Sequence, residues 1–148
     1  MAAIAVVGLA ACASSEDQVV GDRDGQEEMN VAVLKARETL PRFFVELKGG
    51  EGAFSLKVPV RHGREVEQVW ISDLHYAGGR FTGRIISKAD SKSGAGVGQS
   101  YTVSGGDISD WMIERDGAIY GGYTLRANLD EMADEQAASL RARLRELN

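Results

Sequence analysis

Few side chains in this sequence combine the types and spacings that catalysis or ligand binding needs. The most suggestive set is aromatic: Trp70, Trp111, Tyr120 and Tyr123, with Asp110 beside Trp111 and Arg126 three residues after Tyr123. Indole and phenol rings give a large contact area with one polar handle, so they can line a ligand groove. They serve equally well in a core, provided their N–H and O–H groups find partners. Asp110 could act as a base or orient a ligand. It could also accept backbone N–H groups, or pair with Arg126 across a hairpin. Asp73 and His75 lie two apart on an expected strand, which would put them on one face, and His suits proton transfer near neutrality. A solvated strand end explains that pair as well.

Other chemistries lack their residues. Gly94-x-Gly96-x-Gly98 has neither the Lys-Ser/Thr of a phosphate loop nor a strand–helix setting, and reads as a flexible connector. There is no Gly-x-Ser-x-Gly elbow, no His-Glu-x-x-His and no Cys-x-x-Cys. With 2 His and 1 Cys, the chain offers little for a metal site, and no metal or cofactor is expected. The balance of 17 Lys and Arg against 22 Asp and Glu gives a net charge of −5, which argues against a nucleic-acid partner. At 43% hydrophobic and 26% charged, the chain is neither disordered nor a multi-pass membrane protein.

The single thiol has a different reading. Residues 1–11 are apolar, small and uncharged, and too short to cross a bilayer. They look like the apolar region of an export signal, although no Lys or Arg precedes Cys12. Leu9-Ala10-Ala11-Cys12 resembles the lipobox of bacterial lipoproteins, whose Cys becomes the acylated N-terminus. Acyl chains add about 0.8 kcal/mol of membrane affinity per buried CH2, so several make a stable anchor. This divides the chain into a signal (1–11), a polar tether (12–24) and one domain (25–148). The protein is expected in the bacterial envelope, anchored and facing the periplasm, with the acyl group as its membrane partner.

The domain's elements follow from periodicity. Asp24 and Glu27 form a capping-box-like start. Met29, Ala32, Val33, Ala36 and Leu40 then recur at helical spacing. Pro41 should kink or restart that helix. Phe54, Leu56, Val58 and Val60 alternate with polar residues and predict a strand whose edge or end is marked by Pro59. A long strand over 65–76 turns at Gly78-Gly79 into Phe81–Ile86. A mobile loop over 87–99 leads to a short strand at Tyr101 and Val103. Asp116-Gly117 predicts a type I′ hairpin between 107–114 and 118–126. A C-terminal helix from about Asn128 would bury Leu129, Ala133, Ala137, Leu140, Leu144 and Leu147. The order implies an α+β domain: helix, about six antiparallel strands in a twisted meander or half-barrel, and an amphipathic helix.

Several of these segments carry a family resemblance. Phe54-Ser55-Leu56-Lys57-Val58, Glu67-Gln68-Val69-Trp70-Ile71, Phe81-Thr82-Gly83-Arg84-Ile85, Ile108-Ser109-Asp110-Trp111-Met112 and Gly121-Gly122-Tyr123-Thr124-Leu125-Arg126 occur in the order found in the bacterial family DUF2314. Gln68 stands where that family would have His. The resemblance spans about residues 29–127 and implies fold boundaries rather than an activity, since this is a domain of unknown function.

Two functional classes therefore stand. One is a non-enzymatic envelope lipoprotein, tethered through Cys12, that binds an envelope protein or a small ligand through Trp70, Trp111, Asp110, Tyr123 and Arg126. The other is an enzyme using Asp110 or His75 in an aromatic-lined cleft. Convergence of those residues on one open pocket would favour the enzyme; buried indoles and an internally satisfied Asp110 would favour binding.

Overall fold

The computed structural model describes residues 16–87 and 96–148. The signal segment and Cys12 lie outside the described residues, as do residues 88–95 of the connector with Gly94. A long helix, α1 (Glu16–Gly49), is followed by β1 (Ala53–His62), β2 (Glu65–Ala77), β3 (Arg80–Ile85) and β4 (Ser100–Ser104). A 3-10 turn at Gly105–Asp107 leads to β5 (Asp110–Arg115) and β6 (Ala118–Gly121). Then come α2 (Tyr123–Ala127), a 3-10 turn (Leu129–Glu131), α3 (Asp134–Arg143) and the two-residue β7 (Leu144–Arg145).

The sheet has seven strands in the order β4-β3-β2-β1-β5-β6-β7. The α+β class holds, but the strand count exceeds six and β6–β7 is a parallel pair. Chain β1 is shared: its first half pairs with β5 (Leu56 opposite Trp111) and its second half with β2 (Val58 opposite Val69). Past Lys57 the β5 ladder has ended. There the Tyr101 hydroxyl, on distant β4, donates to the Pro59 carbonyl at 2.9 Å, so the sheet curls on itself.

The inner face of that curl carries Leu56, Val58, Val69, Ile71, Phe81, Ile85, Trp111 and Ile113, all at most 2% exposed. Helix α1 closes it with Ala36, Phe43 and, at its flanks, Leu40 and Leu47. The stripe read from the sequence is the one that packs, but the helix is longer at both ends. It begins at Glu16, before the expected cap at Asp24, and it runs through Pro41 without restarting. Proline removes one helical hydrogen bond. Burial of Phe43 beyond it, at roughly 1.5–3 kcal/mol for a fully buried large apolar side chain, and the partial burial of Phe44 and Leu47 offset that loss.

Three turns behave as their residues require. Gly63, Gly78-Gly79 and Asp116-Gly117 all have positive φ, the last pair at 51° and 78°. Two further expectations fail. The strand after Asp116-Gly117 stops at Gly121 instead of reaching Arg126, because Gly121 (φ 75°) and Gly122 (φ 62°) turn the chain into α2. The expected C-terminal helix is broken at Met132 (φ −85°, ψ 159°) and Ala133 (φ −58°, ψ 140°), both outside helical geometry. Breaking it lets Ala137 stay buried while the chain returns to set Leu144 beside Ile119. Among the described residues, no helix is long and apolar enough to cross a membrane.

Gly121 gives the sharpest test of this geometry. A Cβ there would collide with the carbonyl and indole ring of Trp111 and would also be strained by φ. Gly121→Ala is expected to cost about 3 kcal/mol in chemical denaturation. Gly117→Ala, with open space around its Cβ, should cost only about 1 kcal/mol.

Candidate functional site

Trp70, Lys57 and Asp110 form a row across β2, β1 and β5, since Lys57 pairs with Trp70 on one side and with Asp110 on the other. Residues directly opposite on neighbouring strands share a face. Leu56 and Trp111, one step away, point into the core. The Asp110-Trp111 dipeptide therefore sends a carboxylate one way and an indole the other.

Both members are 0% exposed and both are satisfied. The Trp111 indole N–H is shared between the Ala36 carbonyl (3.1 Å) and the Thr39 hydroxyl (3.0 Å) of α1. Its ring meets Phe43 at 5.7 Å and Tyr123 edge-on at 5.9 Å. The Asp110 carboxylate accepts four hydrogen bonds. Oδ1 takes the N–H groups of Trp111 (2.8 Å) and Tyr123 (3.2 Å); Oδ2 takes the N–H (2.8 Å) and hydroxyl (2.7 Å) of Thr124. Gly122 precedes α2 in a left-handed conformation and brings no side-chain cap. Asp110 supplies the missing cap from another strand, placing its charge where the first free N–H groups of the helix point.

Lys57 completes the cluster. Its ammonium donates to the Thr124 hydroxyl at 3.0 Å and lies 6.0 Å from the Trp70 ring centre. Burial lowers the Lys57 amine from its ordinary value, and the neighbouring Asp110 charge partly restores it. Burial raises the Asp110 carboxyl, while the hydrogen bonds from Thr124, Trp111 and Tyr123 oppose the rise.

The expected pairing of Asp110 with Arg126 does not form. Arg126 instead donates to the carbonyls of Gly121 (3.1 Å) and Arg145 (2.8 Å) and pairs with Glu146 at 3.0 Å, fastening the C-terminal residues to β6. Nor do Asp110 and His75 share a cleft. His75 is exposed and pairs with Thr82, five residues beyond Trp70, or roughly 15 Å along the strand. Asp73 and His75 are not regular strand neighbours either. The β2–β3 register shifts between Ser72 and His75, and Asp73 sits at φ 51°. The extra residue transfers the inward positions from Val69 and Ile71 to Leu74, which packs on the core.

The aromatic set is thus divided. Trp111 is core, Trp70 is half-buried on the opposite face, Tyr120 lines a hollow against the C-terminal residues, and Tyr123 and Arg126 reach a different concavity. That concavity is a groove of about 740 Å³ between α1 and α2. Val31, Ala32, Tyr123 and Ala127 are its apolar lining, with Glu27, Glu28 and Lys35 among its charged rim. Val31 is 59% exposed. Sequence reading missed Val31 and Lys35 as site residues because they look like ordinary solvent positions of an amphipathic helix. It missed Lys57 and Thr124 because only the β1–β5 register and the turn at Gly122 bring them to Asp110.

Residues 26–144 match the family model described as uncharacterized protein conserved in bacteria, DUF2314. The chain is 36% identical over 132 residues to the uncharacterized protein YegJ of Escherichia coli (strain K12), covering 88% of this chain and 85% of that protein. It is 30% identical over 121 residues to the putative ankyrin repeat protein NMB1133/NMB1171 of Neisseria meningitidis serogroup B (strain ATCC BAA-335 / MC58). That match covers 74% of this chain and 48%, about half, of the meningococcal protein. No solved structure matches the chain.

The buried carboxylate makes two expectations. Asp110→Ala strands its buried donors and should cost about 3 kcal/mol or more in denaturant titration. A raised carboxyl means that the folded state holds the proton more tightly than the unfolded chain does. The resulting stabilisation is complete below the unfolded value of 3.8 and disappears as pH rises through the folded value. Denaturation across that acid range should show this slope in the wild type and not in Asp110→Asn.

Proposed function

The chain belongs to the DUF2314 family, and from that premise we propose a non-catalytic binding domain held at the bacterial envelope by an acylated Cys12. The observation that carries the binding reading is the contrast between two places. Asp110 is sealed and has its acceptor sites occupied by structural donors, whereas the α1–α2 groove is open and has an apolar floor. A carboxylate that caps a helix is committed to the fold, and reaching it would require α2 to leave. Apolar, concave and charge-rimmed surfaces are where ligands and partner segments dock.

The tether reading rests on Leu9-Ala10-Ala11-Cys12 after an apolar run. Helix α1, whose first half forms one wall of the groove, is the element that follows this segment. Anchoring at Cys12 would hold the groove close to the membrane and limit its partners to envelope proteins or small ligands reaching the periplasmic side.

Metabolic labelling with a palmitate analogue is expected to mark the wild-type chain, and Cys12→Ser to abolish the mark. An unlabelled wild type that fractionates free of lipid refutes the anchor. For the groove, Val31→Glu places a charge on the exposed apolar lining without touching the core. Capture from envelope extract should retain a partner on the wild type and lose it on Val31→Glu; equal retention would refute the groove as the docking site.

A further inference from the structure

The seam where the curled sheet brings β4 to the second half of β1 encloses a pocket of about 250 Å³. Its walls include Arg61 from β1, Arg80 from β3, and Thr102 and Ser104 from β4, with Asp107 at one side. It shares no lining residue with the α1–α2 groove.

Three features set it apart from ordinary surface. First, two arginines from different strands, Arg61 and Arg80, line one small hollow. Among the described residues, the ion pairs involve Arg115, Arg126, Arg141 and Arg143, each with a carboxylate within 4.0 Å, and neither Arg61 nor Arg80. Second, the strands that meet here are both sheet edges at this point. β4 ends the strand order, and the β1–β5 ladder stops at Lys57 opposite Asp110. Edge strands leave backbone N–H and C=O groups without ladder partners. Third, the seam is held rather than open-ended: the Tyr101 hydroxyl ties β4 to Pro59, and the Thr82 and Thr102 hydroxyls bond at 2.8 Å across β3–β4.

We propose that this seam pocket, bounded by Arg61 and Arg80, binds a small ligand through a phosphate group. Guanidinium forks match the oxygens of a tetrahedral anion in paired hydrogen bonds, and two of them on separate strands fix its orientation. Asp107 leaves the side chains of the pocket with a net charge of +1, so one anionic group is balanced and a strongly polyanionic ligand is not favoured. The pocket lies just below the usual 300–1,000 Å³ of sites for drug-sized ligands, which suits a phosphate on a body of a few carbons. This inference stands apart from the envelope reading: it requires neither the acyl anchor nor the groove.

The test uses the full chain carrying Cys12→Ser, which takes no acyl group. Inorganic phosphate and glycerol 3-phosphate are titrated at constant ionic strength, with sodium chloride as the control. Amide NMR shifts of Thr102, Val103 and Ser104 report binding. Saturable shifts with both phosphates and none with chloride are expected. Arg61→Gln and Arg80→Gln should each weaken binding by about tenfold or more, as loss of a charged hydrogen bond does. Arg64→Gln, in the neighbouring β1–β2 turn, should leave it unchanged. Both pocket arginines are exposed, so their variants are expected to keep the wild-type fold, checked by unchanged amide shifts elsewhere. Absence of saturable shifts, or wild-type affinity in either pocket variant, overturns the proposal.

Discussion

A carboxylate can sit fully out of water only if donors replace the hydration it has lost. Much of this structure follows from meeting that condition for Asp110. Three backbone N–H groups and one hydroxyl converge on its two oxygens. Two of those N–H groups open α2, so the carboxylate also does for that helix what its own glycine cap cannot. Gly121 and Gly122 are the residues whose backbones can make the turn that delivers them. Lys57 adds a cation on the far side of Thr124, which offsets part of the charge's burial.

The neighbouring Trp111 carries the same coupling to the other layer. Its indole reaches α1 through Ala36 and Thr39, and its ring lies between Phe43 and Tyr123. Because adjacent strand residues point oppositely, one dipeptide grips both helices: Asp110 holds the start of α2 and Trp111 holds the middle of α1. The groove between those helices owes its shape to that pair, although neither residue lines it. A change at Asp110 would therefore alter the groove through the position of α2, not through loss of a lining side chain. The two concavities are mechanically separate. The groove depends on helices held by β5, whereas the seam depends on how tightly β1 to β4 curl.

Much of the architecture was legible in the chain because it rests on local rules. Period-two alternation in Phe54–Val60 marks a strand with one buried face. The Ala32–Ala36–Leu40 spacing marks the buried stripe of α1. Asp116-Gly117 marks a hairpin whose positive φ values only such residues adopt readily. The C-terminal region failed for a related reason. Its leucines and alanines do repeat at helical spacing, but the free energy of a short, weakly amphipathic helix is small. The break at Met132 goes with the return of the chain to pair β7 with β6, which spacing does not encode.

Sequence alone determined most of the element types up to Gly121, the family and the identity of the residues able to hold charge or stack. Tertiary structure decided what those residues do. Asp110 was equally readable as a base, a partner for Arg126 or an acceptor of backbone N–H groups. The β1–β5 register and the turn at Gly122 select the last. Arg61 and Arg80 are 19 positions apart and unremarkable in the chain; curling of the sheet makes them neighbours of one pocket. Both concavities are built from side chains meeting across distant segments, and such meetings are set by global packing, to which local propensity is blind.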